Sequence, residues 1–104
     1  MEVKIFWSDI ALSQLEDIYD YYKVKASIAI ARKLVKSIIE KTIILELNPL
    51  IGEKELLLAE RTYEYRFLVE KNYKIIYRFN DKQVKIISVF DCRQNPEKMG
   101  KLID

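Results

Sequence analysis

The feature that most constrains this chain is a change of hydrophobic period near its middle. Through residues 9–47 apolar side chains recur every three or four positions, and from Tyr63 to Phe90 they alternate. The first pattern draws a stripe along a helix and the second paints one face of a strand, so helices come first and hairpin-linked strands follow. The chain holds only two Gly and two Pro, which leaves little material for long loops.

Ahead of the helices, Val3 to Trp7 is a short β-branched and aromatic run that reads as a strand. Ser8 then serves as an N-cap with Asp9 in the first turn of a helix over about 9–25. Its stripe is Ala11, Leu12, Leu15, Ile18, Tyr19 and Tyr22. Ser27 caps a second helix striped by Ile28, Ala31, Leu34, Val35, Ile38, Thr42 and Leu45, and Asn48-Pro49 ends it. Ile30, Ile39, Ile43 and Ile44 widen this stripe, so the second helix is either buried over much of its girth or covered by a partner. The short connection implies an antiparallel hairpin.

Glu55 to Ala59 is open between a strand, a helical turn and an apolar loop. Three strands follow at about 62–69, 73–79 and 83–90, with turns at Glu70-Lys71-Asn72 and Asn80-Asp81-Lys82. Asn95-Pro96-Glu97 starts a short C-terminal helix. The order β-α-α-β-β-β gives the class α+β, with a helical hairpin packed on one face of a mainly antiparallel sheet, and residues 1–104 read as a single domain.

With three-residue turns, Arg66 faces Ile76, Glu64 faces Arg78, and Ile76 faces Ile86. Tyr63, Tyr65, Phe67, Val69, Tyr73, Ile75, Tyr77, Phe79, Ile87 and Val89 then form the bed for the helices. Glu64, Arg66, Leu68, Lys74, Ile76, Arg78, Val84, Ile86, Ser88 and Phe90 line an open face. On it Arg78 is paired with Glu64, Lys74 lacks an obvious acidic partner, and Arg66 is the best candidate to bind an anion.

Much common chemistry is excluded. The chain has no His and a single Cys, so a zinc site or a His-activated nucleophile has no ligands to draw on. Two glycines, Gly52 and Gly100, make no phosphate loop, and no metal or cofactor is expected. Cys92 reads as an inert packed thiol, and Glu16, Asp17 and Asp20 as a solvated helix face. The lone cysteine, the absence of a signal-like start and the lack of any long apolar run point to a cytoplasmic protein that does not engage membranes. Residues 1–60 hold 8 Lys or Arg against 10 Asp or Glu, whereas residues 61–104 hold 10 against 6. The basic C-terminal part suits an acidic partner or RNA.

The chain resembles the RelE/ParE superfamily of bacterial type II toxins. The likeness rests on L-x-x-I-x-x-Y at Leu15, Ile18 and Tyr22, then N-P-L-I-G, Y-R-F-L-V, Y-K-I-I-Y-R-F and V-F-D-C-R-Q-N-P, in that order. It implies a growth-inhibiting toxin neutralised by a cognate antitoxin, free as a homodimer or held in a toxin–antitoxin hetero-oligomer. ParE-like members poison DNA gyrase by binding. RelE-like members cut mRNA on the ribosome without metal. In the latter case the resemblance implies catalytic roles for Arg66, Lys74 and Arg93. Arg66, Lys74, Arg78, Arg93 and Lys98 are the residues expected to meet target or RNA. Yet Lys74 stands where RelE-like toxins place an Arg, Arg66 and Arg93 are each one position off, and Met99 or its neighbours replace their C-terminal Tyr. These departures favour the ParE-like reading.

Overall fold

The computed structural model describes residues 2–94 and 96–101. Strand β1 (Lys4–Trp7) leads into helices α1 (Asp9–Lys25) and α2 (Ile28–Lys41), followed by a 3-10 turn (Thr42–Glu46). Strand β2 (Glu53–Lys54) and a second 3-10 turn (Leu56–Leu58) precede strands β3 (Tyr65–Glu70), β4 (Tyr73–Asn80) and β5 (Gln83–Asp91), and a third 3-10 turn runs Pro96–Lys101. The sheet order is β1-β5-β4-β3-β2. Only β1 is parallel to its neighbour, because its return path runs through the whole helical hairpin. The α+β expectation holds.

Both expected caps form. Ser8 Oγ accepts from Ala11 N at 3.0 Å and Ser27 Oγ from Ile30 N at 3.1 Å, each worth about 1 kcal/mol of helix stability. Helix α2 stops four residues earlier than its stripe suggested and tightens into the 3-10 turn, which keeps Thr42 and Leu45 buried. Its flanks are not buried: Ile30, Ile39, Ile43 and Ile44 all face solvent.

The sheet departs from the expected register in two ways, by shorter turns and by a bulge. Glu70 pairs with Tyr73 and Asn80 with Gln83, so both hairpins close with two-residue turns. Lys71, Asp81 and Lys82 take positive φ without being glycine, the backbone such tight turns demand. One residue fewer in the first turn flips β3 relative to β4. Leu68 therefore packs toward the helices, while Tyr65 and Phe67 lie on the other face. The second departure is a bulge in β5, where Tyr77 pairs with Ile86 but Ile76 with Ser88. Ile87 is the extra residue. Val84 and Ile86 enter the helix-side core before it and Val89 after it.

Two cores result. The larger, between sheet and helices, gathers Ala11, Leu15, Ile18, Ile38, Tyr73, Ile75 and Tyr77 with the inward residues of β5. The smaller covers the opposite face, where Leu58 and Met99 from the 3-10 turns close over Tyr65, Ile76 and Phe90. The face expected to be open is thus largely roofed. No helix among the described residues is long and apolar enough to cross a membrane.

Candidate functional site

The five cations singled out by the sequence do not converge. Arg66 lies on the helix side of β3, opposite Tyr77, because of the register flip. Its Nη1 donates to the carbonyls of Gly52 (2.9 Å) and Leu50 (3.2 Å), and its Nη2 pairs with Glu64 at 2.7 Å. Its role here is to hold a loop.

Tyr77 holds the same loop from beneath. Its ring is fully buried, and its hydroxyl donates to Pro49 O at 2.8 Å and accepts from Gly52 N at 2.9 Å. Burial pushes the phenol pKa up, since the anion has no water to solvate it. Gly52 is obligatory at this approach. A Cβ there would sit 2.6 Å from the Tyr77 hydroxyl and 2.8 Å from Phe67 O. The Asn-Pro-Leu-Ile-Gly motif is therefore a clamped tip, with the side chains of Leu50 and Ile51 left outside.

Lys74 stays on the far face of β4 but is not unpaired. Its Nζ lies 2.9 Å from Glu55 Oε2 and 4.2 Å from the centre of the Phe67 ring. The Glu55 side chain is only 3 % exposed. This carboxylate arrives from the ambiguous Glu55–Ala59 segment, and its other oxygen accepts from Leu57 N. Arg78 donates to Asn80 Oδ1 at 2.7 Å and stacks over the Tyr63 ring at 4.0 Å. Glu64, its expected partner, is taken by Arg66 and Lys54.

Arg93 follows β5 and forms a two-point contact with Asp91, Nε to Oδ1 at 3.1 Å and Nη2 to Oδ2 at 2.9 Å. Those hydrogen bonds hold the Asp91 carboxyl below its usual range and raise Arg93 in turn. Tyr22 acts on both Arg93 and Tyr73, raising each. The Tyr73 phenol is pushed well above its usual value, first by burial and then by Tyr22. Lys98 is exposed on the third 3-10 turn. Its neighbour Met99, where the resemblance placed a functional C-terminal residue, is a core plug. Asn95, expected to cap this turn, lies outside the described residues. Cys92 is exposed, not packed. Among the described residues no group of acidic, Cys or His side chains could hold a metal ion.

The fold also leaves apolar surface open. Tyr19, Val35 and Ile39 floor a groove of about 350 Å³ between α1 and α2, with Arg32, Lys36 and Glu40 at its rim and Lys36 paired with Glu40 at 3.7 Å. Below it Ile43, Ile44, Leu47, Leu50 and Ile51 stand exposed on the 3-10 turn and the clamped tip.

Residues 5–96 match the model of the ParE toxin of type II toxin–antitoxin systems. The chain belongs to the ParE toxin family. Membership brings with it a cognate antitoxin as partner. Among solved structures, this ParE-family chain is similar to the chromosomal ParDE toxin–antitoxin system from P. aeruginosa, at TM-score 0.71 and 23 % identity, over 86 % of this chain and 95 % of that one. That likeness is one of fold. No curated protein matches the sequence.

Proposed function

We propose that this toxin arrests growth by binding a protein target such as DNA gyrase, and that it does not cut mRNA. The observation that carries this reading is the engagement of the cations a ribonuclease would use. Cleavage at a phosphodiester needs positive charge free to meet the developing phosphorane. Here Arg66 is tied to two carbonyls and Glu64, Lys74 to a buried carboxylate, and Arg93 to Asp91. The sheet face behind Lys74 is roofed by Leu58 and Met99. The large exposed apolar surface supports protein recognition instead.

In the antitoxin-bound state, the α1–α2 groove takes an amphipathic helix from the antitoxin, its apolar face on Tyr19, Val35 and Ile39 and an acid toward Arg32, since Lys36 is paired with Glu40. Purified toxin added to a DNA supercoiling reaction and to a translating extract tests the main reading. Inhibited supercoiling with intact mRNA is expected. Cleavage of mRNA on the ribosome with unimpaired supercoiling overturns it.

A further inference from the structure

Beyond the roof of Leu58 and Met99, the outer face of the sheet carries a row of side chains that crosses from strand to strand. Phe6 of β1 stands beside Lys85 of β5, and Lys85 beside Arg78 of β4. The flanking residues Ile5, Val84 and Phe79 pack into the helix-side core, which fixes the row on the other face. Tyr63, just before β3, lies with its ring 4.0 Å from the Arg78 guanidinium. The order across the sheet is therefore ring, cation, cation, ring. Phe6 is 45 % exposed and Tyr63 44 %, and Lys85 is exposed as well.

Lys85 and Arg78 face each other directly across an antiparallel pair, where like charges repel. Arg78 meets neutral groups, the Asn80 amide oxygen at 2.7 Å and the Tyr63 ring. Among the described residues no carboxylate pairs with either cation. The repulsion lowers the stability of the fold, and an anion bound between the two removes it. Lys4 lies on the same face of β1 as Phe6, and Lys82 stands on the adjoining turn. The acids nearest in the chain are Glu2 and Asp81, and Asp81 accepts from the Asn80 amide at 3.3 Å.

The arrangement of the groups decides which anion fits. A protein interface places apolar groups at its centre and charges at its rim. In this row the cations are central and the rings stand at the ends. Neighbouring strands lie about 4.8 Å apart, so Phe6 and Arg78 are roughly 10 Å apart at the backbone, the reach of about two or three nucleotides. Exposed rings that stack bases, set beside cations that meet the backbone, are how sheet surfaces hold single strands. A duplex hides its base faces and would leave Phe6 unused. A second copy of the chain would bring the same two cations to the row and be repelled.

We propose that Phe6, Lys85, Arg78 and Tyr63 form a binding site for a single-stranded nucleic acid, with phosphates on the two cations and Lys4 and a base stacked on Phe6. The site binds without cutting. It lies across the sheet from the α1–α2 groove and stands whichever protein the toxin arrests.

The test is fluorescence anisotropy of short labelled oligothymidylate and oligouridylate strands and of a mixed-sequence duplex, each titrated with the full chain over a range of salt. At least one single strand is expected to bind more tightly than the duplex, and the tighter of the two tells DNA from RNA as the source. Phe6→Ala should weaken single-strand binding roughly five- to a hundredfold, the scale of one lost base stack, and leave the salt dependence as it was. Lys85→Gln should lower the slope of log affinity against log salt by about 0.7. It should not lower the melting temperature, because it removes one of two opposed cations. Lys33→Gln, on α2, controls for diffuse charge and should change neither affinity nor slope. No binding by the wild type, equal binding of strand and duplex, equal affinity for polyglutamate, or equal losses from Lys33→Gln and Lys85→Gln overturns the site. A dimer in sedimentation that Phe6→Ala dissociates also overturns it, by assigning the row to a second copy.

Discussion

Lys74 Nζ and Glu55 Oε2 lie 2.9 Å apart beneath the roof of the sheet's outer face, with the lysine side chain 25 % exposed and the glutamate 3 %. Because the two ends differ in access to water, removing either has unequal consequences. Lys74→Met strands a carboxylate that has almost no solvent. Glu55→Gln leaves an ammonium that still reaches water and the Phe67 ring.

Chemical denaturation should therefore show Lys74→Met as the more destabilising change, near the roughly 3–5 kcal/mol of a broken buried pair. Glu55→Gln should cost clearly less, since its stranded partner is partly solvated. Equal losses would mean that Glu55 is better hydrated than its burial indicates. The same logic bears on toxicity, because a Lys74 variant that no longer arrests growth implicates catalysis only if it remains folded.

Gly52 and Tyr77 make a second test, of the clamp. Gly52→Ala puts a methyl group 2.6 Å from the Tyr77 hydroxyl and 2.8 Å from a backbone oxygen that cannot turn away. Overpacking of this kind costs about 1–3 kcal/mol. Tyr77→Phe should cost a similar amount by leaving Pro49 O and Gly52 N without their partner. Combined, the two changes should cost somewhat less than the sum, since removing the hydroxyl takes away one of three close contacts while Tyr77 Cε1 at 2.7 Å and Phe67 O at 2.8 Å remain. A double-mutant cycle on unfolding free energies measures this directly.

How much of this was readable beforehand follows from what each feature depends on. The helical stripes and the caps at Ser8 and Ser27 are local, and they form where the sequence placed them. The inward set of β4, Tyr73, Ile75, Tyr77 and Phe79, was also legible, because simple alternation suffices within one strand. Pairing between strands was not. Glu-Lys-Asn and Asn-Asp-Lys carry no glycine to mark a two-residue turn, and the backbone instead drives Lys71, Asp81 and Lys82 to positive φ. That single residue put Arg66 on the helix side and Tyr65 on the other. Past the bulge at Ile87 the expected faces of Val89 and Phe90 hold again, because the shortened turn and the extra residue together shift the pairing by two positions, one full period of a strand. The partners of the cations were hidden for the same reason. Glu55 meets Lys74 across 19 positions of chain, from a segment with no clear period. Only Glu55, as the one acid in an apolar run, hinted at a buried pair.

The bulge offers a third prediction. Ile87 leaves the β4–β5 ladder irregular, and α1 fills the gap: Gln14 Oε1 accepts from Val89 N at 2.7 Å and from Ser88 Oγ at 3.1 Å, while Ser8 Oγ donates to Ile87 O at 2.8 Å. Gln14→Leu keeps the volume but removes the acceptor, so it should cost about 1–3 kcal/mol. Amide exchange should accelerate most at Val89, the donor left without a partner, relative to Ile75 and Ile86. Uniform acceleration across the sheet would argue that Gln14 acts only through global stability.

Alkaline pH should find the weak point of the helix-side core. Burial raises both the Tyr73 and Tyr77 phenols above their ordinary value, with Tyr22 adding to the effect at Tyr73. The unfolded chain releases these protons near pH ~10, whereas the folded chain retains them, so the unfolded state binds fewer protons above that point. Stability is therefore fully present below about pH 10 and falls as pH rises toward the folded-state values. Absorbance at the tyrosinate band should show Tyr73 and Tyr77 ionising only as the far-ultraviolet dichroism collapses. Tyr73→Phe should move that collapse to higher pH even if it lowers stability at neutral pH through loss of the Tyr22 hydrogen bond. A collapse that stays at the same pH would place the alkaline sensitivity elsewhere than in this buried phenol.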